Sequence, residues 1–133
     1  MSTNNKNYSI MNIGTFSSVS KQGRIMIGKD LDLTGCEISV NSLPAGQSIP
    51  FVHSHKENEE VYIILHGSGE FMVDGDEFSI QEGNFIRVAP AGERVLKAGK
   101  EELVYVCIQV QKDSLKQATE TDGVMHETKA SWM

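Results

Sequence analysis

Between residues 8 and 110 the chain is written in short apolar runs that recur every eight to twelve positions with Gly, Asn or Asp between them, and no stretch holds a helical period. Side chains of a strand alternate faces with period two, whereas those of a helix repeat every 3.6 residues, so this rhythm specifies a β-sandwich or barrel and excludes a helical bundle. Candidate strands cover residues 8–13, 24–28, 36–43, 51–55, 61–65, 70–73, 77–80, 85–88, 94–96 and 103–110. The sharpest turn signal is Asp74-Gly75, between Phe71-Met-Val73 and Glu77-Phe-Ser-Ile80. A two-residue loop of that composition supplies the positive φ values of a type I′ hairpin. Gly67-Ser-Gly69, Glu82-Gly-Asn84 and Pro90-Ala-Gly92 read as further turns, so residues 60–110 form a meander.

A chain of 133 residues is long enough for one hydrophobic core and too short for two, so residues 1–133 read as a single domain. Residues 1–7 are expected to be flexible. From Gln111 to residue 133 the sequence becomes a polar tail in which Val124, Met125 and Trp132 are left to anchor it across the surface or a neighbouring subunit. Twelve basic against 18 acidic residues give a net charge of -6 with no basic cluster, which argues against a nucleic-acid partner. The longest apolar run, Leu103 to Ile108, is far below the roughly 20 residues of a spanning helix. The first residues lack the apolar core of a signal peptide, so no membrane partner is expected and the protein is read as cytoplasmic. Cys36 and Cys107 lie inside apolar runs, where reduced, buried thiols are favoured over a single bridge.

Chemistry concentrates in Phe51-Val-His53-Ser-His55-Lys-Glu57-Asn-Glu59-Glu60-Val-Tyr62. Histidines at i and i+2 share one face of a strand, so His53 and His55 can meet one ion. Glu60 opens the next apolar run and can return beside them. Two imidazoles and one carboxylate suit a divalent transition metal, Fe, Mn, Ni or Zn, with open positions for water or ligand. A histidine pair in a charged loop is more often only solvated, and the spacing alone decides little. Its company decides more: Gly46, His53, His55, Glu60 and Gly67 form G-x6-H-x-H-x4-E-x6-G.

This pattern resembles the first motif of the cupin superfamily, lengthened by one residue between the first glycine and the histidine. Gly83-Asn-Phe-Ile-Arg-Val-Ala-Pro90-Ala-Gly92 resembles the start of the second, G-x5-P-x-G-x2-H-x3-N, again one residue longer. The resemblance spans about residues 40 to 110. It implies a double-stranded β-helix, the cupin or jelly-roll barrel, with a metal held inside by the first motif's two histidines and glutamate and the second motif's histidine. Here Val95 stands where that fourth ligand would be and Gly99 where the asparagine would be. A metal would then have three protein ligands or recruit His66, His126, Glu59 or Cys107, each a poor substitute.

Glu60 rather than the adjacent Glu59 is assigned inward because its distance to Gly67 matches the motif. Alternation sets Tyr62 and Ile64 beside Glu60 and Phe51 beside the histidines. With Val95 they are the expected lining of an apolar, aromatic pocket for a small organic ligand. Arg87 is assigned to the surface in preference to the cavity, and Arg94 is a second candidate carboxylate clamp. The run Leu103 to Ile108 is apolar on both faces, which is expected of a strand covered by a second protomer in a homodimer.

Three functions compete at this point. One is a metal-dependent enzyme with oxygenase, isomerase or lyase chemistry on a small substrate. The second is a non-catalytic small-molecule-binding or sensory module. The third is a metal-free barrel in which His53 and His55 are ordinary polar residues.

Overall fold

The computed structural model describes residues 2–4, 7–117 and 119–133. Ten strands run β1 Ser2–Asn4, β2 Ser9–Met11, β3 Arg24–Met26, β4 Glu37–Leu43, β5 Asn58–His66, β6 Ser68–Val73, β7 Asp76–Gln81, β8 Phe85–Val88, β9 Arg94–Ala98 and β10 Leu103–Gln111. All pairings are antiparallel. A five-stranded sheet has the order β3-β4-β10-β5-β8 and a three-stranded sheet the order β7-β6-β9. The expected double-stranded β-helix is the fold observed. Its core gathers Leu43, Tyr62, Ile64, Tyr105 and Cys107 from the first sheet and Phe71, Ile80, Leu96 and Ala98 from the second.

Local chemistry accounts for the corners. Asp74 and Gly75 both take positive φ, 52° and 86°, and join β6 to β7 as the type I′ loop that Asp-Gly requires. At Gly67 the chain leaves the five-stranded sheet for the three-stranded one with φ 86°, and a Cβ there would strike the carbonyl oxygen of Glu102. Only glycine satisfies both conditions.

Several sequence expectations are corrected. Residues 51–55 form no regular strand. They run extended beside β9 through one bridge, His53 to Arg94, with His53 N–H donating to Arg94 O at 3.1 Å and Arg94 N–H returning to His53 O at 2.9 Å. Ser48 and Ile49 continue the same irregular edge, interrupted by Pro50, which has no N–H to offer a ladder. Residues 2–4, expected to be flexible, pair with β2. Met1, Asn5 and Lys6, part of the same expectation, lie outside the described residues. Short helices also appear where no helical period shows: a 3-10 turn at Phe16–Ser18, α1 Val19–Gln22, α2 Gly28–Leu31 and α3 Thr119–Asp122. Pieces of three or four residues are too short to display a period. Val124, Met125 and Trp132 are exposed and anchor nothing within the single chain.

The alternation of β4 is inverted, and this shapes the site. Ile38 and Val40 do not join the core between the sheets. Val40 is buried with Val19 and Val104 outside that core, where α1 packs on β4. The polar set Ser39 and Asn41 therefore turns toward the interior.

Candidate metal centre

The interior between the sheets opens into a cavity of about 480 Å³ whose wall includes Phe51, His53, His55, Glu60, Tyr62 and Cys107. His53 and His55 come from the irregular segment pinned to β9 and to Pro90, whose carbonyl accepts from His55 N–H at 2.8 Å. Glu60 comes from β5, where pairing with Val88 on one side and Gln109 on the other fixes its place in the sheet. One ligand atom from each of His53, His55 and Glu60 lies within 4.8 Å of the others. His55 Nε2 is 3.2 Å from Glu60 Oε2 and His53 Nε2 is 3.8 Å from Glu60 Oε1.

Glu60 is 3% exposed and heavily partnered. Tyr62 Oη donates to its Oε1 at 2.7 Å and the Cys107 thiol donates to Oε2 at 3.3 Å. Arg94, wholly buried, sets its Nε 3.6 Å from Oε1 while Nη2 donates to Ala89 O at 2.9 Å. Burial first, and then the neighbouring Cys107 and Glu60, hold the Tyr62 phenol well above its ordinary pKa. Burial and then Glu60 raise the Cys107 thiol, so both keep the protons they donate. Burial is the main influence lowering the His53 imidazole, with Arg94 and His55 adding to it against the pull of Glu60. A neutral imidazole is the form that coordinates a metal.

The residues fit such an ion. His53 Nδ1 and His55 Nε2 are buried with no hydrogen-bond partner, an arrangement that costs free energy unless something electrophilic fills the gap. Two imidazoles and one carboxylate are the donor set of divalent Fe, Mn, Ni or Zn.

The other expected residues fall out unevenly. Tyr62 and Phe51 line the cavity, Phe51 at its exposed edge with its ring 5.9 Å from that of His53. Ile64 does not line it. It faces inward but is packed wholly within the core, because alternation fixes which face a residue takes and not how deep the cavity reaches. Val95 borders the cavity, yet it pairs with Met72 on the face of β9 that carries Lys97. The inward positions are Arg94, Leu96 and Ala98. The residue of β9 that faces Glu60 is therefore the Arg94 guanidinium, its Nε 3.6 Å from Oε1, and not Val95.

Among the described residues no fourth ligand completes the set. His66 is exposed and pairs with Glu101 at 3.6 Å, His126 is exposed, and Glu59 lies on the opposite face of β5 from Glu60. Arg87 is exposed, as expected of an unpaired charge. Arg94 clamps the protein's own Glu60 rather than a ligand.

Sequence reasoning missed a polar wall: Arg24 from β3, Ser39 and Asn41 from β4, and Gln109 from β10. The signal was present in Glu37-Ile-Ser39-Val-Asn41, where polar residues alternate with apolar ones, but alternation does not say which set faces inward.

Comparison with known proteins follows this geometry. Residues 40–109 match the family profile described as Cupin domain. A cupin protein from Bacteroides fragilis is 43% identical, with 91% of this chain and 98% of that one covered at a TM-score of 0.83. A conserved Klebsiella pneumoniae protein with a double-stranded β-helix domain matches over 80% of this chain and 95% of its own at 16% identity and TM-score 0.63. The DMSP lyase of Ruegeria pomeroyi matches over 68% of this chain and 46% of its own at 21% identity and TM-score 0.53. No curated protein matches the sequence significantly.

Proposed function

This chain belongs to the cupin family, and from that premise we propose that it is a metal-dependent cupin enzyme acting on a small organic molecule held in its barrel. The observation that carries the proposal is the convergence of His53, His55 and Glu60 on one cavity wall, with two buried imidazole nitrogens that make no hydrogen bond. A divalent ion bound there would supply Lewis acidity or oxygen activation, depending on its identity, which leaves oxygenase, isomerase and lyase chemistry open.

The chain's own residues supply the rest. Tyr62 and Cys107 orient the Glu60 carboxylate through donated hydrogen bonds, the kind of support that fixes a metal-binding side chain. Phe51, Met26 and Ile49 supply apolar surface to the cavity wall. Three protein ligands in place of four leave room for substrate.

One observation favours a second reading, a binding or sensory module. Arg94 already offsets the charge of Glu60, so the site is electrostatically tolerable without turnover. We further propose a homodimer, supported by the half-buried Ile38, Val106 and Ile108 on the outer face of the five-stranded sheet, and a reducing, cytoplasmic setting, supported by two free cysteines. No helix among the described residues is long and apolar enough to cross a membrane.

The test is elemental analysis of untagged protein beside a His53→Ala/His55→Ala double variant with its fold verified by circular dichroism. About one Mn, Fe, Ni or Zn per chain in the parent and little in the variant supports the metal reading. Equal, negligible metal in both after incubation with each ion would overturn it. Product analysis on a panel of small substrates, with the metal found, then separates enzyme from sensor.

A further inference from the structure

The cavity wall carries a cation that the proposed metal reading does not use. Arg24 lines the cavity from β3, the edge strand of the five-stranded sheet. Its Nε donates to Asn41 Oδ1 at 2.8 Å, and the buried Asn41 is itself held by Nδ2 donating to Ser39 Oγ at 3.0 Å. The head of Arg24 is thus fixed from one side by a buried amide. No carboxylate lies within 4 Å of it among the described residues, so its two terminal nitrogens remain available to a ligand.

Charge bookkeeping points the same way. The residues lining the cavity include one cation, Arg24, and one anion, Glu60, and the charge of Glu60 is already offset by buried Arg94. The wall thus keeps one uncompensated positive charge, that of Arg24, and a divalent ion would add two more. This occurs in a chain whose net charge is -6, so the positive charge of the exposed Arg24 at the cavity wall is local to the site. A concavity bearing charge of one sign attracts ligands of the other.

Position sets the size of that ligand. In register, Arg24 stands beside Asn41, Asn41 beside Tyr105, and the row of Cys107, Tyr62 and Ser39 lies next toward Glu60. From β3 to β5 are three inter-strand steps, about 14 Å, and the row of Arg24 lies four residues along the strands from that of Glu60, about 13 Å more, so the backbones stand about 19 Å apart and the side chains of Arg24 and Glu60 each reach inward across part of it. The gap left between them suits a short chain of a few carbons.

We propose that the cavity takes a small dianionic organic acid, one carboxylate seated on Arg24 and the other end carrying an oxygen donor at the His53, His55, Glu60 centre. The assignment rests on the metal reading and names the ligand class of that same site. Arg24 is its specificity determinant: a guanidinium fork matches a carboxylate with two parallel hydrogen bonds, which an amide cannot reproduce.

The test uses the Zn(II)-loaded full chain and calorimetric titration with malonate, succinate and glutarate, each paired with its monoamide, on the parent, Arg24→Gln and Arg24→Lys. Zn(II) affinity is measured independently by competition with a chromophoric chelator. At least one diacid is expected to bind the parent ten-fold or more tightly than its monoamide. Arg24→Gln is expected to abolish that preference with unchanged Zn(II) affinity, and Arg24→Lys to retain part of it. Equal binding of every diacid and its monoamide, or a preference that survives Arg24→Gln, overturns the proposal while leaving the metal site standing. Failure of Zn(II) to bind the parent overturns the metal reading instead, and the Arg24-dependent preference measured on metal-free protein then decides the anion site by itself.

Discussion

Replacing Arg94 by methionine removes a wholly buried cation and leaves Glu60, 3.6 Å away and 3% exposed, without its nearest full positive charge. At that separation an effective dielectric of about 20 gives an attraction of about 4–5 kcal/mol. Breaking a buried pair from one side costs about 3–5 kcal/mol by comparison with similar pairs. The metal-free Arg94→Met variant should therefore melt about 10–20 °C below the parent, as expected for a domain of this size. Glu60→Gln removes the other half, and the double variant should recover most of the loss, giving a coupling of about 4 kcal/mol in a double-mutant cycle. Zn(II) should then raise the melting temperature of Arg94→Met more than that of the parent, because an ion bound at His53, His55 and Glu60 takes over the compensation of the carboxylate. Differential scanning calorimetry with and without Zn(II) reads all of these values. A coupling below about 1 kcal/mol, or equal Zn(II) stabilisation of both proteins, would refute the view that Arg94 and the metal answer the same buried charge.

Tyr62→Phe deletes the 2.7 Å hydrogen bond to Glu60; a charge-assisted bond of this kind is worth about 1.5–3 kcal/mol, and Zn(II) affinity should fall by about 10-fold or more, as read by chelator competition. Ile64→Ala hollows the core rather than the cavity, so urea unfolding should show a loss of about 2–5 kcal/mol while Zn(II) stoichiometry is unchanged. Hydrogen bonds from Ser20 and Ser42 hold the Glu102 carboxyl below its ordinary pKa. Its stabilising contribution is present above the unfolded-state carboxylate range and disappears as pH falls through the lowered value. Thermal melts from pH 7 to 3 should accordingly show Glu102→Gln less stable than the parent at neutral pH and the gap closing in acid.

Most strands were legible because their turns are written in residues with a mechanical role. Asp74-Gly75 supplies two positive φ angles, and Gly67 marks a corner with positive φ where a Cβ would meet the carbonyl of Glu102. His53, His55 and Glu60 were legible by spacing, although the reason given was partly mistaken. The histidines share a side because backbone bonds to Arg94 and Pro90 pin an irregular segment, not because they sit in a regular strand.

What stayed hidden depends on which face looks inward and on how far. Val95 borders the cavity as expected, but counting along a lengthened motif does not determine the pleat, and the residue of β9 that points inward beside Glu60 is Arg94. Ile64 had the right face and the wrong depth. Arg24, Ser39 and Asn41 were invisible as a group because they meet only when β3, β4 and β10 pair. Val40 faces outward under the cover of α1, and nothing in the local pattern announces that cover.

The central claim is that one ion is held by His53, His55 and Glu60, and anomalous diffraction from crystals of Zn(II)-loaded protein, recorded above and below the zinc edge, addresses it most directly. The account predicts a single strong peak per chain in contact with both imidazoles and the Glu60 carboxylate, while Arg94 and Val95 contribute no ligand. A peak bound elsewhere, or no peak at this centre with His53, His55 and Glu60 arranged as they are here, would contradict it.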